Sequence, residues 1–195
     1  MRRFALALLF ACLALPAAAA LAPGAKAPDF SAPASLAGKS VGFSLADSLK
    51  KGPVVVYFYP SAYTGGCNAE AHAFAEAADD FAAAGATIIG VSHDSIARLN
   101  DFSADPNYCA GKFPVASDPD GAIARSYDLK VMEGKPGLKD TRGQAIDHAF
   151  TERTTFVIAP DGTIAAVLST ADDKLAPDEH AAKALAIVRG LKTAP

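Results

Sequence analysis

Of the 195 residues, 18 are Lys or Arg and 21 are Asp or Glu, which gives a formal net charge of −3. So mild an acidic balance argues against nucleic acid or an anionic membrane surface as a partner. The length suits one domain with a proper core, and three cysteines with four histidines are too few and too scattered for a disulfide framework or a zinc site.

The first segment reads as a secretory signal peptide. Arg2 and Arg3 precede an unbroken apolar run from Phe4 to Leu15, and Pro16 and the alanines 17–20 follow. A basic start, a short apolar stretch and small residues at an A-x-A site are the parts of such a leader. The run falls short of the ~20 residues that a spanning helix needs, which disfavours a retained anchor; a lipid on Cys12 is a further alternative. The expected organisation is a leader over 1–20, cleaved between 18 and 22, and a single mature domain over 21–195. Export to the bacterial periplasm is expected, with no membrane attachment after processing. Cys12 is then lost, and Cys67 and Cys109 remain in a compartment that tolerates disulfides.

In the mature chain, Phe30 to Leu45 alternates around Gly38-Lys39 and predicts a small hairpin. Val54-Val-Val-Tyr-Phe-Tyr59 is continuous, β-branched and aromatic, so it predicts a central strand buried on both faces. After a Ser-Ala-Tyr-Thr-Gly-Gly loop, an Ala- and Glu-rich stretch predicts a helix over 67–84, stopped by Gly85. A strand over Thr87–Val91, a helix over 95–104, a short strand over Phe113–Ala116 and a short helix over Gly121–Tyr127 follow. Such alternation means parallel strands with crossovers. Residues 130–152 form a polar stretch without a clear period and are read as a long loop. Thr154–Ile158 and Thr163–Leu168, joined by Ala-Pro-Asp-Gly, predict an antiparallel pair, and a closing helix starts at Pro177.

Cys67 stands where the predicted helix begins. A thiol attacks as its thiolate, and the unpaired N–H groups of a helix N-terminus favour that form. Gly65 and Gly66 allow close backbone approach, and the Thr64 hydroxyl is able to share the space or to cap the helix. The plain alternative is a small buried hydrophobe. Against it stands the position at the carboxyl end of a parallel strand, where α/β proteins place their chemistry.

The run from Val54 to Glu70, with Pro60, Thr64, Cys67 and Glu70 at fixed spacing, resembles the active-site signature of the peroxiredoxins. Ala27-Pro-Asp-Phe30, Ile88-Ile-Gly-Val-Ser-His-Asp94, Phe113-Pro-Val-Ala-Ser-Asp-Pro-Asp-Gly121 and Glu152-Arg-Thr-Thr-Phe-Val-Ile158 match further family segments in order. The bacterioferritin-comigratory, or Q-type, subgroup is the nearest in pattern. The resemblance implies an α/β thioredoxin-like fold, a central mixed sheet flanked by helices, with an N-terminal β-hairpin. It implies a thiol peroxidase in which Cys67 is the peroxidatic nucleophile and Pro60 shields it. Thr64, Gly66, Cys67 and Arg153 would bind the peroxide, and Glu70 would support the site. It also implies a hydroperoxide substrate, a thioredoxin-like or small-thiol reductant, no metal and no organic cofactor. A monomer, or at most a weak dimer, is expected.

Many Q-type members carry a second cysteine five residues after the first, where this chain has His72. Cys109 is then the internal candidate for the resolving thiol; a structural cysteine, or a one-cysteine enzyme, is the alternative. Gly65 stands where the family usually has Pro, which is expected to loosen the Cys67 turn. His72 is read as a solvent or packing residue and His93 as structural or pocket-lining; His148 is unassigned. Two rival readings on the same fold are a thiol–disulfide oxidoreductase, which needs the CxxC pair missing here, and a redox-linked copper chaperone, whose Cys and His spacing is also missing.

Overall fold

The computed structural model describes residues 20–191. The leader read at 1–20, Cys12 included, lies outside the described residues but for Ala20.

The hairpin forms as β1 (Ser31–Leu36) and β2 (Lys39–Ser44), with Leu36 opposite Lys39. Ala37 and Gly38 close it with φ of 50° and 79°, the left-handed pair that a tight two-residue turn requires. A short helix α1 (Leu45–Leu49) leads to β3 (Val54–Phe58). From there the chain runs α2 (Gly65–Ala83), β4 (Thr87–Ser92), α3 (Ile96–Ala104), β5 (Val115–Ser117) and α4 (Ala122–Ser126). Then come β6 (Val131–Met132), β7 (Phe150–Thr151), β8 (Thr154–Ile158), β9 (Ile164–Ser169), α5 (Thr170–Asp173) and α6 (Glu179–Leu191). Seven strands make one sheet in the order β2-β1-β5-β4-β3-β8-β9. β3, β4 and β5 are parallel, while β8 runs antiparallel to β3 with Tyr57 opposite Thr155.

Every residue of β3 is buried, as its unbroken apolar sequence requires. Because side chains alternate across a strand, Val55 and Tyr57 join Phe74 and Phe81 of α2 in one core layer, and Val54, Val56 and Phe58 join Tyr127 and Phe156 in the other. Tyr57 stacks on Phe74 with ring centroids 4.4 Å apart. That contact fixes the helix bearing Cys67 against the strand that leads into it.

Several boundaries differ from the sequence reading. α2 starts at Gly65, not at Cys67. Glycine is costly inside a helix, but the first turn makes no intrahelical N–H bond and tolerates it. The strand expected at 113–116 is shifted to Val115–Ser117, since Pro114 has no N–H to offer a ladder. α6 starts at Glu179, and α5 was not anticipated; Ser169 caps it by accepting from Asp172 N at 3.2 Å. The stretch 130–152 is not an unstructured loop. β6 pairs with β7, and Lys139 bridges Ala145, so the chain folds back on itself as a strap. Among the described residues no helix is long and apolar enough to cross a membrane.

Candidate active site

β3 delivers the chain to Tyr59-Pro60-Ser61-Ala62-Tyr63-Thr64, and this short loop is pinned on every side. Asp94, just beyond β4, accepts Ala62 N at 2.8 Å, and Arg98 on α3 donates to Ala62 O at 3.0 Å. Tyr63 O accepts both Thr141 N at 2.8 Å and the Thr141 hydroxyl at 2.9 Å from the strap. The Arg142 guanidinium lies 3.2 Å from the Tyr63 ring centroid, a cation–π contact. These bonds hold Tyr63 at φ 59°, a left-handed conformation that a bulky residue adopts only when its surroundings impose it.

That kink aims α2. Thr64 occupies the position before the helix, yet its hydroxyl makes no cap bond; it donates back to Ser61 O at 2.8 Å instead. The expectation that Thr64 also caps the helix is therefore corrected. Cys67 is the third residue of the helix and is 2% exposed. Arg153, just ahead of β8, donates from Nη2 to Cys67 Sγ at 3.2 Å. Its Nη1 is held by Glu70 Oε2 on α2. A Cβ on Gly66 would lie 3.3 Å from Arg153 Nη2 and 3.2 Å from Pro177 Cγ, so glycine leaves the guanidinium its path to the sulfur. Nothing lies within 4 Å of a Cβ built on Gly65, so no close contact at Cβ demands glycine there. Pro60 is half-buried at the head of the loop.

The electrostatics of Cys67 are a contest. Burial pushes its thiol up, while the Arg153 cation, the Thr64 hydroxyl and hydrogen bonding at Ser61 pull it down; in the closed pocket burial wins. Burial also pushes the Glu70 carboxyl up to about 8 against the pull of Arg153. His180 on α6 is fully buried with its Nδ1 3.8 Å from Glu70 Oε1, and burial with the Arg153 charge pushes it down to about 4.

Cys109, in the turn after α3, is 0% exposed and unbonded. It belongs to the same core layer as Cys67, with Tyr63 and Phe102. Burial and the Asp105 charge push its thiol far up. His72 is exposed and 3.4 Å from Glu76. His93 is buried and 2.6 Å from the Thr151 hydroxyl.

The sequence reading missed two groups. His180 carried no signal, since its partners lie on distant elements. The other is the set Asp94, Arg98, Asp140 and His148: Arg98 is 2.8 Å from both Asp94 and Asp140, and His148 Nε2 is 2.9 Å from Asp94. Polar residues within an aperiodic stretch were the available hint. Among the described residues no group of three His, Cys, Asp or Glu side chains is placed to hold a metal ion.

A parallel-centred sheet with a buried cysteine at its carboxyl edge, facing a guanidinium, defines a thiol peroxidase of thioredoxin-like fold. Residues 23–167 match the AhpC/TSA family, and the chain belongs to that family as a peroxiredoxin. A Mycobacterium tuberculosis peroxiredoxin is 33% identical over 145 residues, 74% of this chain and 83% of that one. The crystal structure of peroxidoxin BcpB from the same organism superposes with a TM-score of 0.70 at 31% identity, covering 87% of this chain and 97% of BcpB. The bacterioferritin comigratory protein of Xanthomonas campestris, solved in relation to its alkyl peroxide reduction activity, gives 0.61 at 31% identity over 81% and 90% of the two chains.

Proposed function

We propose that this peroxiredoxin reduces hydrogen peroxide and organic hydroperoxides through Cys67. The thiolate attacks the terminal oxygen in line, the O–O bond breaks, and water or an alcohol leaves with one proton while sulfur becomes a sulfenic acid. Arg153 donates to the sulfur from 3.2 Å, and this observation carries the reading. A guanidinium in that place stabilises the thiolate and then the charge that develops on the leaving oxygen. Thr64, Gly66 and Arg153 would receive the peroxide, with Pro60 shielding the thiolate and Glu70 steadying Arg153. The Xanthomonas protein's alkyl peroxide reduction supports organic hydroperoxides as substrates.

Cys109 then attacks the Cys67 sulfenic acid, releases water and leaves a disulfide, which a thioredoxin-like dithiol reduces by exchange. The enzyme works as a monomer in the periplasm, after its leader over 1–20 is removed. The shared core layer of Cys67 and Cys109 supports the pairing.

Stopped-flow mixing of the mature protein with hydrogen peroxide tests the chemistry. Wild type is expected to react far faster than a free thiol, and Cys67→Ser to be inert. Cys109→Ser is expected to oxidise once at the wild-type rate and then to recycle poorly with thioredoxin. A wild type no faster than free cysteine would overturn the peroxidase assignment to Cys67; normal recycling of Cys109→Ser would remove the resolving role alone.

A further inference from the structure

Glu70 is fully buried, and only one of its two oxygens is engaged. Oε2 holds Arg153, while Oε1 has no hydrogen-bond partner. An ionised carboxylate with a bare buried oxygen is expensive. The polar atom that faces Oε1 is His180 Nδ1, 3.8 Å away. His180 is locked in place by two hydroxyls, Thr155 at 2.9 Å from Nδ1 and Thr170 at 3.0 Å from Nε2. These come from β8 and α5, and α6 supplies the imidazole, so three elements converge behind Arg153.

The charges add a second constraint. Arg153 and ionised Glu70 already cancel, so a Cys67 thiolate formed by losing its proton to water would leave a net negative charge in a closed, apolar pocket. Such a charge is disfavoured by burial. If the proton is instead kept on Glu70, Arg153 pairs with the thiolate and the pocket stays neutral.

We propose that Glu70 and His180 form a buried proton store for Cys67: Glu70 takes a proton at Oε1 as Cys67 gives one up, and His180 Nδ1 accepts the hydrogen bond of that stored proton. The inference rests on Cys67 being the peroxide-reacting thiol. In the first step the S–H bond breaks with its electron pair left on sulfur, and an O–H bond forms at Glu70. In the second, the thiolate attacks the peroxide, the O–O bond breaks, and the leaving hydroxide or alkoxide is neutralised by a proton equivalent to the one Glu70 then releases. The sum is thiolate, protonated Glu70 and hydroperoxide giving sulfenic acid, Glu70 carboxylate and water or alcohol. Neither residue touches the substrate: Glu70 acts on Cys67 by exchanging its proton, and His180 acts on Glu70.

The surroundings agree. Burial brings the Glu70 carboxyl up to about 8, which puts protonation within reach near neutral pH, and takes the imidazole down to about 4, which leaves it a neutral acceptor. With Nε2–H donated to Thr170, Nδ1 is left as an acceptor whose one lone pair takes the Thr155 hydroxyl at 2.9 Å; the stored proton takes that place when the Thr155 hydroxyl turns away. Closing the gap to Glu70 needs a shift of about 1 Å to reach hydrogen-bond distance. The other charged or titratable groups that face the pair are Arg153, Cys67 and Tyr57 around Glu70, and Arg153, Asp173 and Glu179 around His180.

Infrared difference spectra in a Cys109→Ser background, taken before and after one equivalent of hydrogen peroxide, test this directly. The wild-type site is expected to lose the carbonyl band of a protonated carboxyl and gain carboxylate bands as Cys67 is oxidised, and Glu70→Gln is expected to abolish that change. His180→Leu is expected to slow oxidation about tenfold near neutral pH, the worth of one buried hydrogen bond, and to move the carbonyl band towards that of an unbonded acid. His180→Asn, whose amide oxygen replaces the acceptor, is expected to recover the rate to within about threefold. Fast oxidation with no carboxyl change, or the same change in Glu70→Gln, would overturn the store and leave the peroxidase reading standing. Slow oxidation in the parent protein would overturn both. Should His180→Leu not fold, Glu70→Gln and His180→Asn decide the matter.

Discussion

Thr64 has one hydroxyl proton and two claims on it. While Cys67 holds its proton, the hydroxyl donates to Ser61 O at 2.8 Å, and its oxygen is free to accept the S–H. Once the sulfur is ionised, a turn of the same hydroxyl donates to it, which is the sense in which Thr64 favours the thiolate. Thr64→Val keeps the shape and removes the switch. Its oxidation by hydrogen peroxide is expected to be about ten- to a hundredfold slower near pH 7. Its rate profile should move to higher pH, because a donor that pulled the Cys67 ionisation down is gone. Thr64→Ser should stay near wild type. An unshifted profile in Thr64→Val, read by stopped flow from pH 5 to 9, would leave the hydroxyl a purely structural role. That Thr64, Cys67, Glu70 and Arg153 come together was legible because they fall in two short runs of the sequence. His180 was not, since a buried histidine and an exposed one look alike in sequence, and what defines it is contact with residues on α2, α5 and β8.

The strap between β6 and β7 has no period in its sequence because its order comes from charges. His148 is its latch. Its Nδ1 sits 2.7 Å from Ala149 O and its Nε2 2.9 Å from the Asp94 carboxylate. Both of those partners only accept, so both ring nitrogens must donate and the imidazole must be charged. Burial opposes this, but the hydrogen bond and charge of Asp94 prevail, and His148 is held above its ordinary range. Asp94 in turn lies below its own range: burial pushes it up, but His148 and the Ala62 and Ser92 donors win. A histidine raised on folding contributes stability that is complete below its unfolded value near 6.5 and fades as pH climbs through the folded one. A lowered aspartate contributes above about 4 and fails as pH drops through its folded value. The latch is therefore strongest between about pH 4 and 6.5. His148→Gln is expected to cost about 1.5–3 kcal/mol near pH 6 by urea unfolding, with the difference shrinking above pH 8. A difference that does not vary with pH would mean that folding leaves the ionisation of His148 where it is in the unfolded chain.

At the scale of the molecule, the central sheet followed from the sequence because β3 is a pure apolar run and β4 and β8 are short runs rich in β-branched residues, buried along nearly their whole length. The relation between Cys67 and Cys109 did not, because it depends on what lies around them. Both thiols are buried in one aromatic layer, and the Tyr63 ring, 5.1 Å from Phe102 and 5.6 Å from Tyr108 by centroid, packs beside the residue that precedes Cys109. Cys109 is also deeply protected against ionisation, so it attacks slowly where it rests. Its turn carries Ala110 and Gly111 at φ 51° and 68°, a compact shape held by Ala110 N to Asp105 O at 2.9 Å and Gly111 N to Ser103 O at 2.8 Å. If Cys109 resolves the sulfenic acid as proposed, formation of the disulfide is expected to open this turn and relax the Tyr63 kink. Relaxation of Tyr63 breaks the bonds its carbonyl accepts from Thr141, so the strap must loosen with it. Hydrogen exchange on the Cys67–Cys109 disulfide form is expected to show lost protection at the amides of Ala110, Gly111 and Thr141 together, with β3 and β4 unchanged. Arg142→Ala, which removes the cation over the Tyr63 ring, is expected to speed disulfide formation after the sulfenic acid has formed, without speeding the first oxidation. Exchange confined to the Cys109 turn, with Thr141 still protected, would mean that the two thiols meet without moving the active-site loop.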